Sequence, residues 1–145
     1  MRSSARIETA TPYHEPVSEL LTPEGIDFTT ERHLATLSTL GPDGRLHVVP
    51  VGFTYRDGLV RIITSGPSQK VQNLRRDARA TVSQVDGGRW LTLAGTARVL
   101  EDPASVQLAV ELYAARYRQP RVNPLRVAIV VDVETAMGSA GLLAG

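Results

Sequence analysis

Residues 46–64 read LHVVPVGFTYRDGLVRIIT, and this stretch decides the predicted fold. It holds two runs rich in β-branched, aromatic and aliphatic residues, 46–56 and 59–64, on either side of Asp57-Gly58. An Asp-Gly pair between two such runs is a strong signal for a tight hairpin turn. We therefore predict two antiparallel strands here and expect more strands on both sides.

Four further strands are predicted outward from this hairpin. They are His33–Thr39, Ala78–Val85, Trp90–Leu100 and Arg126–Val133. Turn residues at 41–44 (Gly-Pro-Asp-Gly) and 86–88 (Asp-Gly-Gly) separate neighbouring runs. Six strands joined mostly by hairpins predict a mainly β fold, a six-stranded antiparallel split barrel with two or three helices.

The predicted helices interrupt this order of strands. A short helix is predicted over 29–32, another after the N-cap Ser68, and a longer one after Asp102-Pro103. Residues 1–27 contain three prolines and lack periodicity, so we predict an N-terminal extension, with a helical turn around Val17–Leu21, followed by one barrel domain over 28–145. The apolar run 127–131 predicts a strand covered on both faces, by a helix or by a partner subunit.

Composition excludes several classes of protein. The chain has 145 residues, the size of one domain, and is 42% hydrophobic. It has no apolar run near the ~20 residues that a membrane helix needs. Its polar start lacks the apolar stretch of a secretory signal, and it has no cysteine for a disulfide or a thiolate site. We expect a cytoplasmic protein that does not bind a membrane.

Neither nucleic acid nor metal is an expected ligand. The basic segment 75–79 has no interleaved aromatic residue, which single-strand binding requires. The three histidines, His14, His33 and His47, lack the spacing of a metal site. The chain also lacks the common nucleotide-binding and nucleophile motifs. Any difficult chemistry would therefore come from a bound organic cofactor.

The best candidate site is the segment 64–70, which reads TSGPSQK. Lys70 is the single lysine among sixteen basic residues, and it stands in the first turn of a predicted helix. Hydroxyl groups, free backbone N–H groups at a helix N-terminus and an ammonium group together suit a phosphate. Asn73 follows one turn later. The alternative, an ordinary capped surface helix, remains open from this motif.

Two other groups of residues are candidates. Gln84 and Trp90 lie on either side of a turn; the amide could meet the edge of a planar heterocycle and the indole could flank its ring. A core or interface tryptophan is an equal alternative. Four arginines, at 116, 118, 121 and 126, surround a proline-rich loop and suit carboxylates or phosphates, although a solvated face explains them as well.

Taken together, these segments resemble the pyridoxamine-phosphate-oxidase-like split-barrel flavoproteins. The strand 47–55 lacks the arginine–lysine pair of the vitamin oxidase, and the C-terminus lacks that enzyme's arginine–tryptophan signature. The chain is more similar to the actinobacterial F420-dependent branch, closest to its biliverdin reductase subgroup. The segments that carry this likeness are ERHLA (31–35), HVV (47–49), VGFT (51–54), SQK (68–70), SQVDG (83–87), RWL (89–91), GTA (95–97), RYR (116–118), PR (120–121), NP (123–124) and GSA (138–140).

This resemblance implies a homodimer with its cofactor in a groove between the subunits. The implied cofactor is the deazaflavin coenzyme F420, with FMN as the alternative. The residues implied to hold it are His47, Val48, Val49, Pro50, Val51, Thr64, Ser65, Ser68, Gln69, Lys70, Asn73, Gln84, Arg89 and Trp90. Arg118, Arg121 and Arg126, together with Arg116, would meet the cofactor's acidic tail or a substrate's carboxylates.

The implied reaction is hydride transfer from reduced F420 to a conjugated substrate, with biliverdin reduced to bilirubin as the candidate. No side chain is assigned as catalytic, and water is the expected proton source. Two alternatives stay open: an FMN-dependent oxidase, and a non-catalytic module that binds a flavin or a tetrapyrrole.

Overall fold

A computed structural model of the protein describes residues 19–145. It contains seven strands and three helices. In chain order they are α1 Pro23–Thr30, β1 Ala35–Leu40, β2 Leu46–Val51, β3 Thr54–Arg56, β4 Leu59–Ser65, α2 Gln69–Arg76, β5 Arg79–Asp86, β6 Arg89–Leu100, α3 Pro103–Arg116 and β7 Arg126–Gly138. All strand pairs are antiparallel, in the order β2-β1-β5-β6-β7-β4-β3. The mainly β, antiparallel prediction is confirmed.

The predicted count of six strands was one too low, because the strand expected over 46–56 is two strands. β2 ends at Val51 and pairs with β1, whereas β3 begins at Thr54 and pairs with β4. Gly52 and Phe53 form a corner between them. This corner joins the two edge strands of the sheet directly in sequence, so the sheet curls into a barrel. A Cβ atom at Gly52 would lie 3.0 Å from ring carbons of Tyr113 and Tyr117, so glycine permits this close approach.

The first helix begins earlier than predicted, at Pro23 instead of residue 29. Thr22 caps it, because its Oγ1 accepts a hydrogen bond from Gly25 N at 3.1 Å, and proline suits the first helical position. Leu21 forms an isolated bridge with Leu143 where a helical turn was expected; Val17 lies outside the described residues. Leu21 and Phe28 are both core residues, and the predicted boundary at 27/28 falls inside α1.

The last strand, β7, is covered on both faces, as its apolar run predicted. Every residue from 127 to 131 is buried. Val127, Ile129 and Val131 belong to the barrel core, whereas Ala128 and Val130 are buried without belonging to that cluster. Helix α3 packs against β4 and β7 and supplies the second layer. The strand continues to Gly138, five residues past its predicted end, because β6 pairs with it along that length.

The two later helices begin where their caps predicted. Asp102 caps α3 through a 3.0 Å hydrogen bond that its Oδ2 accepts from Ser105 N. Ser68 occupies the N-cap of α2, but its side chain makes no capping hydrogen bond.

None of the helices between residues 19 and 145 is long and apolar enough to cross a membrane.

Candidate functional site

A cleft of about 380 Å³ opens at the end of β4, beside the β2–β3 corner and the end of α3. Its volume falls in the range of about 300–1,000 Å³ that is usual for ligand pockets. It is lined by Pro50, Val51, Gly52, Ile63, Thr64, Ser65, Lys70, Tyr113, Pro120, Asn123 and Arg126. The predicted site residues among these are Pro50, Val51, Thr64, Ser65, Lys70 and Arg126. Strands far apart in sequence thus bring part of the predicted set together.

Lys70 is one of two cationic residues that line this cleft, the other being Arg126. Its side chain is half-buried, and the loss of hydration lowers the pKa of its ammonium below the usual value. Within the described part of the chain it makes neither an ion pair nor a side-chain hydrogen bond. A desolvated charge without a partner costs free energy in the unliganded protein. An anion in the cleft would remove that cost.

The start of α2 offers further hydrogen-bonding groups beside Lys70. The first N–H groups of a helix have no partner inside the helix, and Ser68 does not cap them. The Oγ atom of Ser68 is itself buried, has no hydrogen-bond partner among residues 19–145, and does not line the cleft. Gln69 does not line the cleft; its Nε2 donates to Asn73 Oδ1 at 2.7 Å.

The opposite wall of the cleft comes from the loop before β7. Asn123 Nδ2 donates a 2.8 Å hydrogen bond to Ser65 Oγ, while its Oδ1 accepts one from Leu125 N at 2.9 Å. Arg126 donates from its guanidinium to the carbonyl oxygen of Arg121. The loop is therefore tied to the end of β4.

A second cleft of about 400 Å³ lies on the other side of the same loop. It shares Pro120, Asn123 and Arg126 with the first cleft and adds Arg121. Arg118 is exposed and lines neither cleft. Two of the three arginines predicted to meet acidic groups therefore stand at these adjoining clefts.

The predicted residues of β2 divide between two positions. Pro50 and Val51 line the cleft, whereas His47, Val48 and Val49 lie further along the strand and do not. Val48 points outward and is exposed. His47 has a buried Nδ1 without a partner among residues 19–145.

Asn73 and Gln84 are buried, and their amide groups bond within the protein. Asn73 is fully inaccessible, and its Nδ2 donates to Thr39 Oγ1 at 3.1 Å. Gln84 donates from Nε2 to Phe28 O at 2.9 Å and accepts from Arg116 Nη2 at 2.6 Å. Both occupy positions of structural hydrogen-bonding residues, away from the lining of the cleft.

Arg89 and Trp90 lie at the start of β6, outside the cleft. Arg89 donates to Asp86 at 3.0 Å and to Glu31 at 3.2 Å. Hydrogen bonds from His33 and Arg89 lower the pKa of Glu31 below its usual value. Trp90 is 41% exposed.

Five residues of the cleft were missed as site residues: Gly52, Ile63, Tyr113, Pro120 and Asn123. Gly52, Pro120 and Asn123 lie in segments that carry the family likeness, which was the available signal. Tyr113 lies in α3, and periodicity alone does not distinguish a core tyrosine from one at a cleft.

Comparisons with known proteins agree with this architecture. The family model of pyridoxamine 5'-phosphate oxidase matches residues 21–138. The F420H(2)-dependent biliverdin reductase of Mycobacterium tuberculosis is 50% identical over 125 residues, covering 85% of this chain and 91% of that protein.

Solved structures give the same result. A conserved hypothetical protein from Mycobacterium tuberculosis superposes with a TM-score of 0.72 at 25% identity, covering 86% of this chain and 89% of its own. A protein described as an F420 reductase has a TM-score of 0.67 at 25% identity, covering 80% and 98%. Because the family model spans residues 21–138 and a half-identical relative covers 85% of the chain, this protein belongs to the pyridoxamine 5'-phosphate oxidase family, as its sequence predicted.

Proposed function

We propose that this protein is an F420-dependent reductase that transfers a hydride to a conjugated substrate, with biliverdin as the candidate. The observation that carries the proposal is the half-buried ammonium of Lys70, which lacks a protein partner among residues 19–145 and faces a cleft with Thr64 and Ser65. The relative that is half identical to this chain is named for the same cofactor and substrate.

The cleft fits an anionic tail joined to a flat ring. Lys70, the hydroxyl groups of Thr64 and Ser65, and the first N–H groups of α2 would hold the phosphate. The backbone at Pro50 and Val51 would lie against the ring. When bound, reduced F420 supplies a hydride. The chain's own contribution is to hold donor and acceptor in register, an effect that can account for several kcal/mol of the barrier.

The arginines at the adjoining cleft suit acidic groups. Arg126 lines both clefts, and Arg121 lines the second one. Guanidinium groups bind carboxylates with paired hydrogen bonds. We assign these arginines to the cofactor's acidic tail or to the propionates of a tetrapyrrole substrate.

The proposal includes a homodimer that forms through the outward face of the sheet. Cross-strand pairs place Val48, Val85, Trp90 and Met137 on this face, around a band of Ser and Thr residues. Each of the four is more than 40% exposed. Exposed apolar side chains that cluster on one face are typical of an interaction surface.

The dimer can be tested with Val85→Asp, which places a charge on this outward face. We expect wild-type protein to sediment as a dimer at micromolar concentration and the variant as a monomer. Val122→Asp is the matched control, because Val122 is 96% exposed on a loop. A monomeric wild type would contradict the assignment.

The function is tested by mixing the purified protein with reduced F420 and biliverdin and following F420 oxidation and bilirubin formation together. We expect turnover, with both signals changing at the same rate. Cofactor binding without turnover would indicate a non-catalytic module. Yellow protein as purified, with oxygen consumption, would indicate an FMN-dependent oxidase. Absence of binding by either cofactor at micromolar concentration would refute the redox function.

A further inference from the structure

Three side chains from the end of α3 converge on the Gly52–Phe53 corner. The rings of Tyr113 and Tyr117 pack over Gly52, with their own centroids 4.9 Å apart. Arg116 lies between them in sequence and is only 9% exposed. Neither Arg116 nor Tyr117 lines the cleft, but the corner that they contact does.

The hydroxyl of Tyr117 connects two backbone segments. Its oxygen accepts a hydrogen bond from Phe53 N at 3.2 Å. The hydroxyl donates a hydrogen bond to the carbonyl oxygen of His33 at 2.6 Å. The corner is thereby linked to the residues just before β1.

The guanidinium of Arg116 satisfies three acceptors. It donates to the carbonyl oxygen of Phe53, to Glu31 O at 2.8 Å, and to Gln84 Oε1 at 2.6 Å. Glu31 is the C-cap of α1, where a helix dipole favours a cation. The corner is thus tied to the end of α1 and to β5.

These side-chain hydrogen bonds replace the backbone strand-pairing hydrogen bonds that the corner lacks. Gly52 and Phe53 lie outside the paired register of β2 with β1 and of β3 with β4. Phe53 nevertheless has both backbone groups bonded, its N–H to Tyr117 and its carbonyl to Arg116. The conformation of the corner therefore depends on side chains from α3.

We infer that Arg116 and Tyr117 are positioning residues that hold the β2–β3 corner as the wall of the cleft against which the cofactor ring lies. This inference rests on the proposed function. Arg116 and Tyr117 act on the ring end of the cleft, whereas Lys70 acts on the phosphate end. Loss of their hydrogen bonds to the corner should slow hydride transfer more than it weakens cofactor binding.

Tyr117→Phe tests this inference, because it removes the hydroxyl and keeps the ring over Gly52. With reduced F420 already bound, we expect single-turnover hydride transfer to slow about 10-fold to 100-fold, as small misplacements do. The Kd for F420 should change less than about threefold, because Tyr117 does not line the cleft and the contacts with the phosphate are kept. Loss of a hydrogen bond to a charged group would change the Kd far more. Tyr55→Phe is the matched control, because the Tyr55 hydroxyl bonds Glu19 at 2.7 Å instead of the corner.

Hydrogen exchange supplies a readout that needs no cofactor. The Phe53 amide should exchange faster in Tyr117→Phe than in wild type and should be unchanged in Tyr55→Phe. Gly52→Ala, whose Cβ would press on both tyrosine rings, should slow hydride transfer in the same way.

The outcomes separate this inference from the proposed function. Wild-type turnover with an equally fast Tyr117→Phe, or unchanged Phe53 exchange, would overturn the positioning role alone. A wild type that neither binds nor oxidises reduced F420 would overturn the proposed function and this inference together.

Discussion

Lys70 and Arg116 are both cations withdrawn from water, yet their surroundings are opposite. Arg116 gives hydrogen bonds to three acceptors that the fold holds in place. Lys70 faces a cleft and, in the described part of the chain, has no partner at all. Burial lowers the pKa of both groups.

This difference indicates what each cation is for. A buried cation that donates to three acceptors fixed by the fold supports the folded chain, because its removal leaves those acceptors unsatisfied. A half-buried charge without a partner lowers stability until a ligand arrives. The candidate site is therefore marked by an unpaired, half-buried charge. The following substitutions test this contrast between Lys70 and Arg116.

Arg116→Met should have the largest effect on stability. It removes the hydrogen bonds to Phe53 O and Gln84 Oε1, which are buried, and to Glu31 O, which is part-buried; each buried acceptor left unsatisfied costs about 1–3 kcal/mol. We expect the free energy of unfolding to fall by about 3 kcal/mol or more in urea titrations. In Arg75→Met, which breaks an exposed pair with Glu101, the loss should stay below about 1 kcal/mol. Equal losses in the two variants would remove the contrast.

Lys70→Met should act in the opposite direction on the unliganded protein. Removing a desolvated ammonium should leave Tm unchanged or raise it, while F420 binding weakens by about 1.5–3 kcal/mol, the range for hydrogen bonds to charged groups. Calorimetric titration and thermal melts measure both quantities. Arg45→Met, at an exposed turn, is the control for charge loss. A large fall in Tm would mean that Lys70 supports the fold.

The affinity for the cofactor should depend on pH through Lys70. Its folded pKa lies below the usual value, so the ammonium is lost, and with it the attraction for phosphate, at a lower pH than for an ordinary lysine. We expect Kd to rise as the pH is raised from neutral toward the usual lysine pKa of about 10.4. Over the same window the unliganded wild type should gain stability relative to Lys70→Met, because the penalised charge disappears. A parallel pH dependence of Kd in Lys70→Met would assign the effect to another group.

Ser68→Ala should give the smallest change. Loss of a working N-cap costs about 1 kcal/mol, but Ser68 makes no capping bond, so the stability should be nearly unchanged. F420 binding should also change little, because the Oγ of Ser68 is buried and Ser68 does not line the cleft. Thr22→Ala provides the comparison, because Thr22 does cap α1 and should lose about 1 kcal/mol of stability. A clearly weakened Kd in Ser68→Ala would place Ser68 in the site.

Local signals predicted much of this molecule correctly. Local sequence predicted the hairpin at Asp57-Gly58, the start of α3 at Pro103 and the burial of residues 127–131 on both faces. Each of these features depends on residues that are neighbours in sequence. Lys70 became the phosphate-binding candidate because a solitary lysine in an arginine-rich chain stands beside a helix start; it lines the cleft, and its role stays a prediction.

Other features could not be predicted from the local sequence. The run 46–56 is mostly apolar and was predicted as one strand; Gly52 within it signals a bend or a close backbone approach, but this signal does not reveal that the chain changes its pairing partner there. Arg116 was grouped with three neighbouring arginines because all four surround one loop. The structure separates Arg116 from the others, since its acceptors lie 32 or more residues away in sequence.

The sequence by itself determined the strand-rich fold, the family and the phosphate-binding candidate around Lys70, because these depend on short-range chemistry and on likeness to relatives. Only the tertiary structure decided which polar side chains are satisfied and which are left for a ligand. The reason is physical: a hydrogen-bond partner is fixed by distance in space, and the packing of α3 against the β2–β3 corner sets those distances.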